Sequence, residues 1–136
     1  MGTQPEQLRD RTKSFALRVI RLFRSLPFKP DAQVLGKQLL RCGTSVAANY
    51  RAVCRSRSKA EFVAKIGIVV EEADQAVLWL ELLADSGIVS QDKTKELLAE
   101  ARELTAIFTA SQKNITGNEV MFNYSINRLL NYSMFL

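Results

Sequence analysis

Val34-Leu-Gly-Lys-Gln-Leu-Leu-Arg-Cys-Gly-Thr-Ser-Val-Ala-Ala-Asn-Tyr-Arg51 repeats its apolar side chains with the period of a helix. Leu35, Leu39, Cys42, Val46 and Val53 recur at spacings of three, four and seven. At about 100° per residue they fall on one side of the axis. Asn49 lies on the same line, and Gly36, Gly43, Ala47, Ala48 and Ala52 make the segment rich in small residues. Glycine costs about 1 kcal/mol in a helix interior. Gly43 is therefore either tolerated or present because a neighbouring helix comes close. On the opposite side Lys37, Arg41, Thr44, Ala48, Arg51 and Arg55 share a narrow arc that no acidic residue interrupts. Residues from about 32 to 55 thus read as one helix with a dry face and a cationic face.

The same period extends in both directions. Pro27 and Pro30 break the chain before this helix, and Asp31 is its expected N-cap. Upstream, Leu8, Thr12, Phe15, Val19, Leu22 and Leu26 make the seam of a first helix from about Glu6 to Leu26. Downstream, Ser58-Lys-Ala-Glu61 is a capping box, so a third helix starts near Lys59. Its seam is Phe62, Ile66, Val69, Ala73, Ala76, Leu80 and Leu83, and Gly87 stops it just past Ser86. Asp92 is the expected cap of a fourth helix carrying Leu97, Ala101, Leu104, Phe108 and Ile115 to about Thr116. No stretch alternates with the period of a strand. Four helices of roughly 20–28 residues with short connections predict an all-α protein, an antiparallel up-down-up-down four-helix bundle. Residues 1–116 form the bundle and 117–136 a C-terminal tail, a short helix or an arm.

Composition narrows the chemistry. A chain of 136 residues, 47% hydrophobic and 24% charged, is one folded domain. It contains no histidine, which removes Ser-His-Asp and Cys-His nucleophile systems, H-E-x-x-H zinc sites and Glu-x-x-His di-iron sites. The start, MGTQPEQLRDRTKS, has no apolar run of the signal-peptide kind, and Glu6 occupies the place where a myristoylation motif needs Ser or Thr. No segment approaches the roughly 18 apolar residues of a membrane span. Cys42 and Cys54 on one helix would lie about 18 Å apart, beyond disulfide reach. They read as buried free thiols of a reducing, cytoplasmic setting. No cofactor and no metal is expected.

Two asymmetries point to function. Residues 1–59 carry 13 Lys and Arg against Glu6, Asp10 and Asp31, a net of +10, whereas residues 60–136 carry a net of −5. The ordered basic face, Lys37, Arg41, Arg51 and Arg55, continues into Arg57 and Lys59. On the first helix the basic residues are more scattered, with Arg18 and Arg21 as weaker candidates. Such a face is either ordinary solvated surface or a site for polyanions, where each phosphate met releases counterions and binding falls steeply with salt. Tyr50 and Asn49 sit beside it, a slight sign of base stacking. The second asymmetry is the third helix, where Ala76-Val-Leu-Trp-Leu-Glu-Leu-Leu83 has one charge in eight residues. Leu78 and Trp79 should lie off the internal seam and mark an oligomer interface. Asp74, Glu81 and Asp85 share one arc there and need a cationic partner, which a basic helix of another subunit could supply.

Val34 to Arg51, together with Ser58-Lys-Ala-Glu-Phe62, Glu71-Glu-Ala-Asp74 and Trp79-Leu-Glu-Leu-Leu83, resembles a bacterial four helix bundle protein family. Its best-known members are encoded by intervening sequences in 23S ribosomal RNA genes. The resemblance runs from about Phe15 to Ala110, and its G-T-S-x-A-x-N-Y/R string is specific. It implies a bundle assembled as a homopentameric ring, in small cytosolic proteins of poorly defined role. A distant branch comprises accessory proteins of diversity-generating retroelements, basic pentamers that bind nucleic acid and a reverse transcriptase. The family offers no catalytic residues to carry over, and the tail after Gly117 matches nothing in it.

The leading expectation is a non-enzymatic oligomer that binds nucleic acid, RNA in particular, through phosphates contacted by Lys37, Arg41, Arg51, Arg55, Arg57 and Lys59, with Arg18 and Arg21 in support. The alternative is an interaction scaffold whose basic face recruits an acidic protein such as a reverse transcriptase. Catalysis would fall to Glu71 and Asp74 or to Glu100 and Glu103, at spacings ordinary for solvated helix faces, so an enzyme is not expected.

Overall fold

A computed structural model describes Gly2 and residues 4–116, in which four helices follow one another: α1 (Gln4–Arg24), α2 (Pro30–Val53), α3 (Lys59–Asp85) and α4 (Gln91–Thr116). Three five-residue connections join them. Helix α1 packs on α2, α2 on α3 and α3 on α4, and a thinner α1–α4 contact closes the bundle. The architecture is the all-α four-helix bundle that the apolar period predicts. The tail from residue 117 lies outside the described residues.

The seams are the expected ones. Phe15, Val19, Leu39, Cys42, Val46, Phe62, Ile66, Val69, Leu80, Leu83, Leu104 and Phe108 are all but inaccessible. Burying a side chain of this size contributes about 1.5–3 kcal/mol. Thr12 enters the same core because its hydroxyl donates to Arg9 O at 3.0 Å, which satisfies the polar group. Asn49 is half-buried, its amide donating to Ser45 O at 2.9 Å. Gly43 has a definite job. A Cβ there would lie 2.8 and 2.9 Å from the two Val19 methyls, so α1 rests directly on the α2 backbone.

Two helix starts differ from expectation. Lys29, extended and without a side-chain cap bond, precedes α2, and Pro30 takes its first position. Proline suits that place because its fixed φ is helical and its missing N–H would have no partner there. Asp31 therefore sits inside the first turn, its Oδ1 accepting from Ala32 N at 2.8 Å. Helix α4 likewise begins one residue before Asp92. Ser90 precedes it, with its hydroxyl accepting from Lys93 N at 3.4 Å, and Asp92 lies in the first turn, where its charge complements the dipole. The start of α3 is as expected at Ser58, whose Oγ accepts from Glu61 N at 3.1 Å. The Glu61 carboxylate reaches back one residue further than a capping box requires, to Arg57 N at 3.3 Å. Gly87, at φ +82°, ends the turn after α3 in a conformation only glycine adopts freely.

One ion-pair cluster holds the thin α1–α4 seam. Arg11 donates through Nε to Glu100 Oε2 at 2.9 Å and through Nη2 to Glu100 Oε1 at 2.7 Å, and it meets Glu103 at 2.8 Å. The hydrogen bonds to these carboxylates push the guanidinium pKa still higher.

Candidate nucleic-acid interface

The outer face of α2 stands as expected, but its cations are not equivalent. Lys37, Arg51, Arg55, Arg57 and Lys59 are all exposed. Arg41 is exposed too, yet it is tied inside the chain. Its Nη1 lies 3.2 Å from Glu72 Oε2, and its Nη2 donates to Gln75 Oε1 at 3.0 Å and to Cys42 Sγ at 3.2 Å. An arginine already bridged to a carboxylate has less to offer a phosphate, so Arg41 is better read as a clasp between α2 and α3.

Arg51 and Arg55, one turn apart, line a polar hollow of about 460 Å³ between the end of α2 and the start of α1. Arg9, Glu6, Asp10 and Cys54 complete its wall. Antiparallel packing produces this grouping, because it sets the first turns of α1 beside the last turns of α2. Among the described residues neither the Arg51 nor the Arg55 guanidinium has an ion-pair or hydrogen-bond partner. Arg18 and Arg21 are not part of this group. They border a second hollow, of about 350 Å³, between α1 and the start of α4, where Asp92 and Glu96 share the wall with Lys93. As in the first hollow, three cations stand beside two carboxylates, but this one lies away from the basic face of α2.

The expected stacking aromatic is absent from the surface. Tyr50 is 5% exposed, and its ring lies 5.2 Å from that of Phe108 at 40°. One step of about 100° from Arg51 turns it into the core, and burial pushes its hydroxyl well above the usual tyrosine range. Two features escaped the sequence reading. Arg9, one of many scattered α1 cations, joins Arg51 and Arg55. Phe28, in the α1–α2 connection, is 98% exposed. The period-based search for seams does not reach a residue between two prolines.

Helix α3 carries a second stripe, facing outward. Ala64, Ile68, Glu71, Gln75, Leu78, Leu82 and Asp85 alternate at spacings of four and three, and Ile68, Leu78 and Leu82 are 41%, 48% and 39% exposed. Leu78, Asp74 and Asp85 are thus on the open side as expected. Trp79 is half-buried, and its indole N–H is inaccessible with no acceptor in bonding geometry among the described residues, although it acts on the neighbouring Cys42 thiol. Glu81 departs from expectation because its cation comes from the same chain, Arg102 of α4, at 3.4 Å.

Burial pushes the pKa of both thiols up, Cys42 and Cys54 alike, and both are free. Of the carboxylates weighed for catalysis, Glu100 and Glu103 are held by Arg11, while Glu71 and Asp74 stand exposed on α3. Among the described residues no group of three Cys, Asp or Glu side chains is placed to hold a metal ion. No described helix is long and apolar enough to cross a membrane.

No curated protein matches the chain. Among solved structures it is similar to a crystal structure of a protein with unknown function from the S23 ribosomal protein family of Bacteroides thetaiotaomicron. The two are 28% identical with a TM-score of 0.75, over 82% of this chain and 99% of the other. The family described as 23S rRNA-intervening sequence protein matches residues 7–110, all but the first turn of the bundle and its last residues. The chain therefore belongs to the 23S rRNA-intervening sequence protein family.

Proposed function

We propose that this protein is a non-enzymatic nucleic-acid-binding module that holds structured RNA by its phosphates, and that it works as a homo-oligomer. The observation that carries the reading is the pair Arg51 and Arg55, exposed, one turn apart and unpaired among the described residues, at the end of a stripe that begins at Lys37. From Lys37 to Arg55 the stripe runs about 27 Å at ~1.5 Å per residue, long enough to meet several phosphates. Arginine suits this task because its planar fork bridges phosphate oxygens in pairs. Arg57 and Lys59 prolong the stripe past the helix end.

Assembly rests on the outward stripe of α3, since exposed apolar side chains in register along one helix mark an interface. A homopentamer is what the sequence resemblance implies, and repeating the basic stripe around a ring would turn weak contacts into avidity. The free buried thiols suit a reducing cytoplasm.

The test is an electrophoretic shift of a structured RNA by the wild type and by the double variant Arg51→Glu/Arg55→Glu. Loss of the shift with unchanged helicity and subunit number supports the reading. An unchanged shift removes this face from it. Retention of an acidic protein by the same face after nuclease treatment would replace RNA with a protein partner.

A further inference from the structure

The hollow at the α1–α2 end holds more than an anion site needs. A pure phosphate cradle would be all cation, yet Glu6 and Asp10 stand in the wall with Arg9, Arg51 and Arg55. Carboxylates repel a phosphate and accept hydrogen bonds only. A ligand that fits this wall carries an anion and, a few ångströms away, an edge rich in N–H donors. Unpaired guanosine phosphates are that kind of ligand. N1–H and the 2-amino group of guanine present two parallel donors to one carboxylate, and O6 and N7 accept from one arginine in bidentate fashion. Adenine sets an unprotonated ring nitrogen against the carboxylate instead, and the pyrimidines offer one donor each. The volume, about 460 Å³, falls within the roughly 300–1,000 Å³ of small-ligand sites.

We propose that this hollow takes an unpaired guanine nucleotide of the bound RNA, its phosphate on Arg51 and Arg55 and its base edge on Asp10. The proposal rests on the RNA-binding reading above and specifies what one site in it recognises. Asp10 is the reader because Glu6 is already engaged within the chain, whereas Asp10 has no partner among the described residues. Arg9, exposed in the same wall, has a guanidinium plane that can stack on a base in place of the buried tyrosine.

The experiment measures, by fluorescence anisotropy, the affinity of the full chain for short RNA hairpins, each strand carrying one guanosine, inosine, adenosine or cytidine at the centre of an otherwise uridine loop. A titration with guanosine 5′-monophosphate and adenosine 5′-monophosphate runs in parallel. The guanosine strand should bind about tenfold more tightly than the adenosine strand, the size of one good bidentate base contact. Inosine, which lacks the 2-amino group, should lose most of that margin. Asp10→Asn should erase the margin without weakening the adenosine strand, and Arg55→Glu should weaken every strand alike. Equal binding of all four strands, or a guanosine preference that survives Asp10→Asn, overturns the proposal and leaves phosphate-driven binding intact. Failure of every RNA to bind overturns the functional reading instead. The mononucleotides then decide the hollow by themselves, guanosine 5′-monophosphate binding in preference to its adenosine counterpart or the proposal being wrong.

Discussion

Adding one methyl group at Gly43 sets two effects of known size against each other. Alanine in place of glycine in a helix interior gains about 1 kcal/mol of stability. The added Cβ would lie 2.8, 2.9 and 3.1 Å from Cγ2, Cγ1 and Cβ of Val19. Val19 is fully buried, and its branched side chain cannot rotate out of the way because its own Cβ is among the crowded atoms. Relief has to come from moving α1 off α2, and overpacking of this kind costs about 1–3 kcal/mol. The net for Gly43→Ala is a loss of about 1 kcal/mol, a fall of about 0.5 M in the urea midpoint at fixed protein concentration. Gly67→Ala is the control. A Cβ there meets only Gln112 Nε2 at 3.4 Å, the end of a flexible side chain, so the helix gain should survive and stabilise by about 0.5–1 kcal/mol. Val19→Ala should cost less in the Gly43→Ala background than alone, a coupling of about 1 kcal/mol in the double-mutant cycle. Equal stabilisation by the two glycine replacements would refute the close approach of α1 to α2.

Three other outcomes follow from named contacts. Arg11→Met removes the bidentate grip on Glu100 and the contact with Glu103, leaves two carboxylates facing α1, and should cost about 1–2 kcal/mol in denaturant unfolding, less at high salt. The Glu61 carboxylate is held below the ordinary glutamate range, first by the Lys65 ammonium and then by the Arg57 N–H. A depressed carboxylate pKa stabilises the fold above the unfolded-state pKa, and that contribution is lost as pH falls through the folded-state value. NMR titration should therefore find the Glu61 midpoint low in the wild type and higher in Lys65→Gln. Burial raises the pKa of Cys42 and Cys54, so in native protein at pH 8 both should react with a thiol reagent far more slowly than in urea; rapid labelling of either in the folded state would contradict its placement.

The helices were legible because each carries a buried stripe at alternating three- and four-residue spacings, and a stripe such as Phe62 to Leu83 has no other reading. Ser58 and Gly87 were equally plain, since a cap and a left-handed stop are local properties of the chain. Asp31 and Asp92 misled because an acidic residue favours both the N-cap and the first turn, and Pro30 and Ser90 took the boundary positions. The basic face of α2 was legible as an arc. Its inequality was not, because what ties up Arg41 is Glu72 and Gln75 on another helix. Arg9 joins Arg51 and Arg55 only through antiparallel packing, which brings together residues more than forty positions apart. Tyr50 shows the reverse case. Its sequence neighbour is a surface arginine, and its spatial neighbour is Phe108.

The central claim is that Arg51 and Arg55 meet phosphates, and the salt dependence of RNA binding tests it most directly. The logarithm of the association constant against the logarithm of salt concentration should be a straight line, shallower in Arg51→Gln/Arg55→Gln than in the wild type by roughly 1.5–2, about one per lost phosphate contact. Parallel lines of equal slope would mean that these two arginines touch no phosphate, and the proposed interface would be wrong.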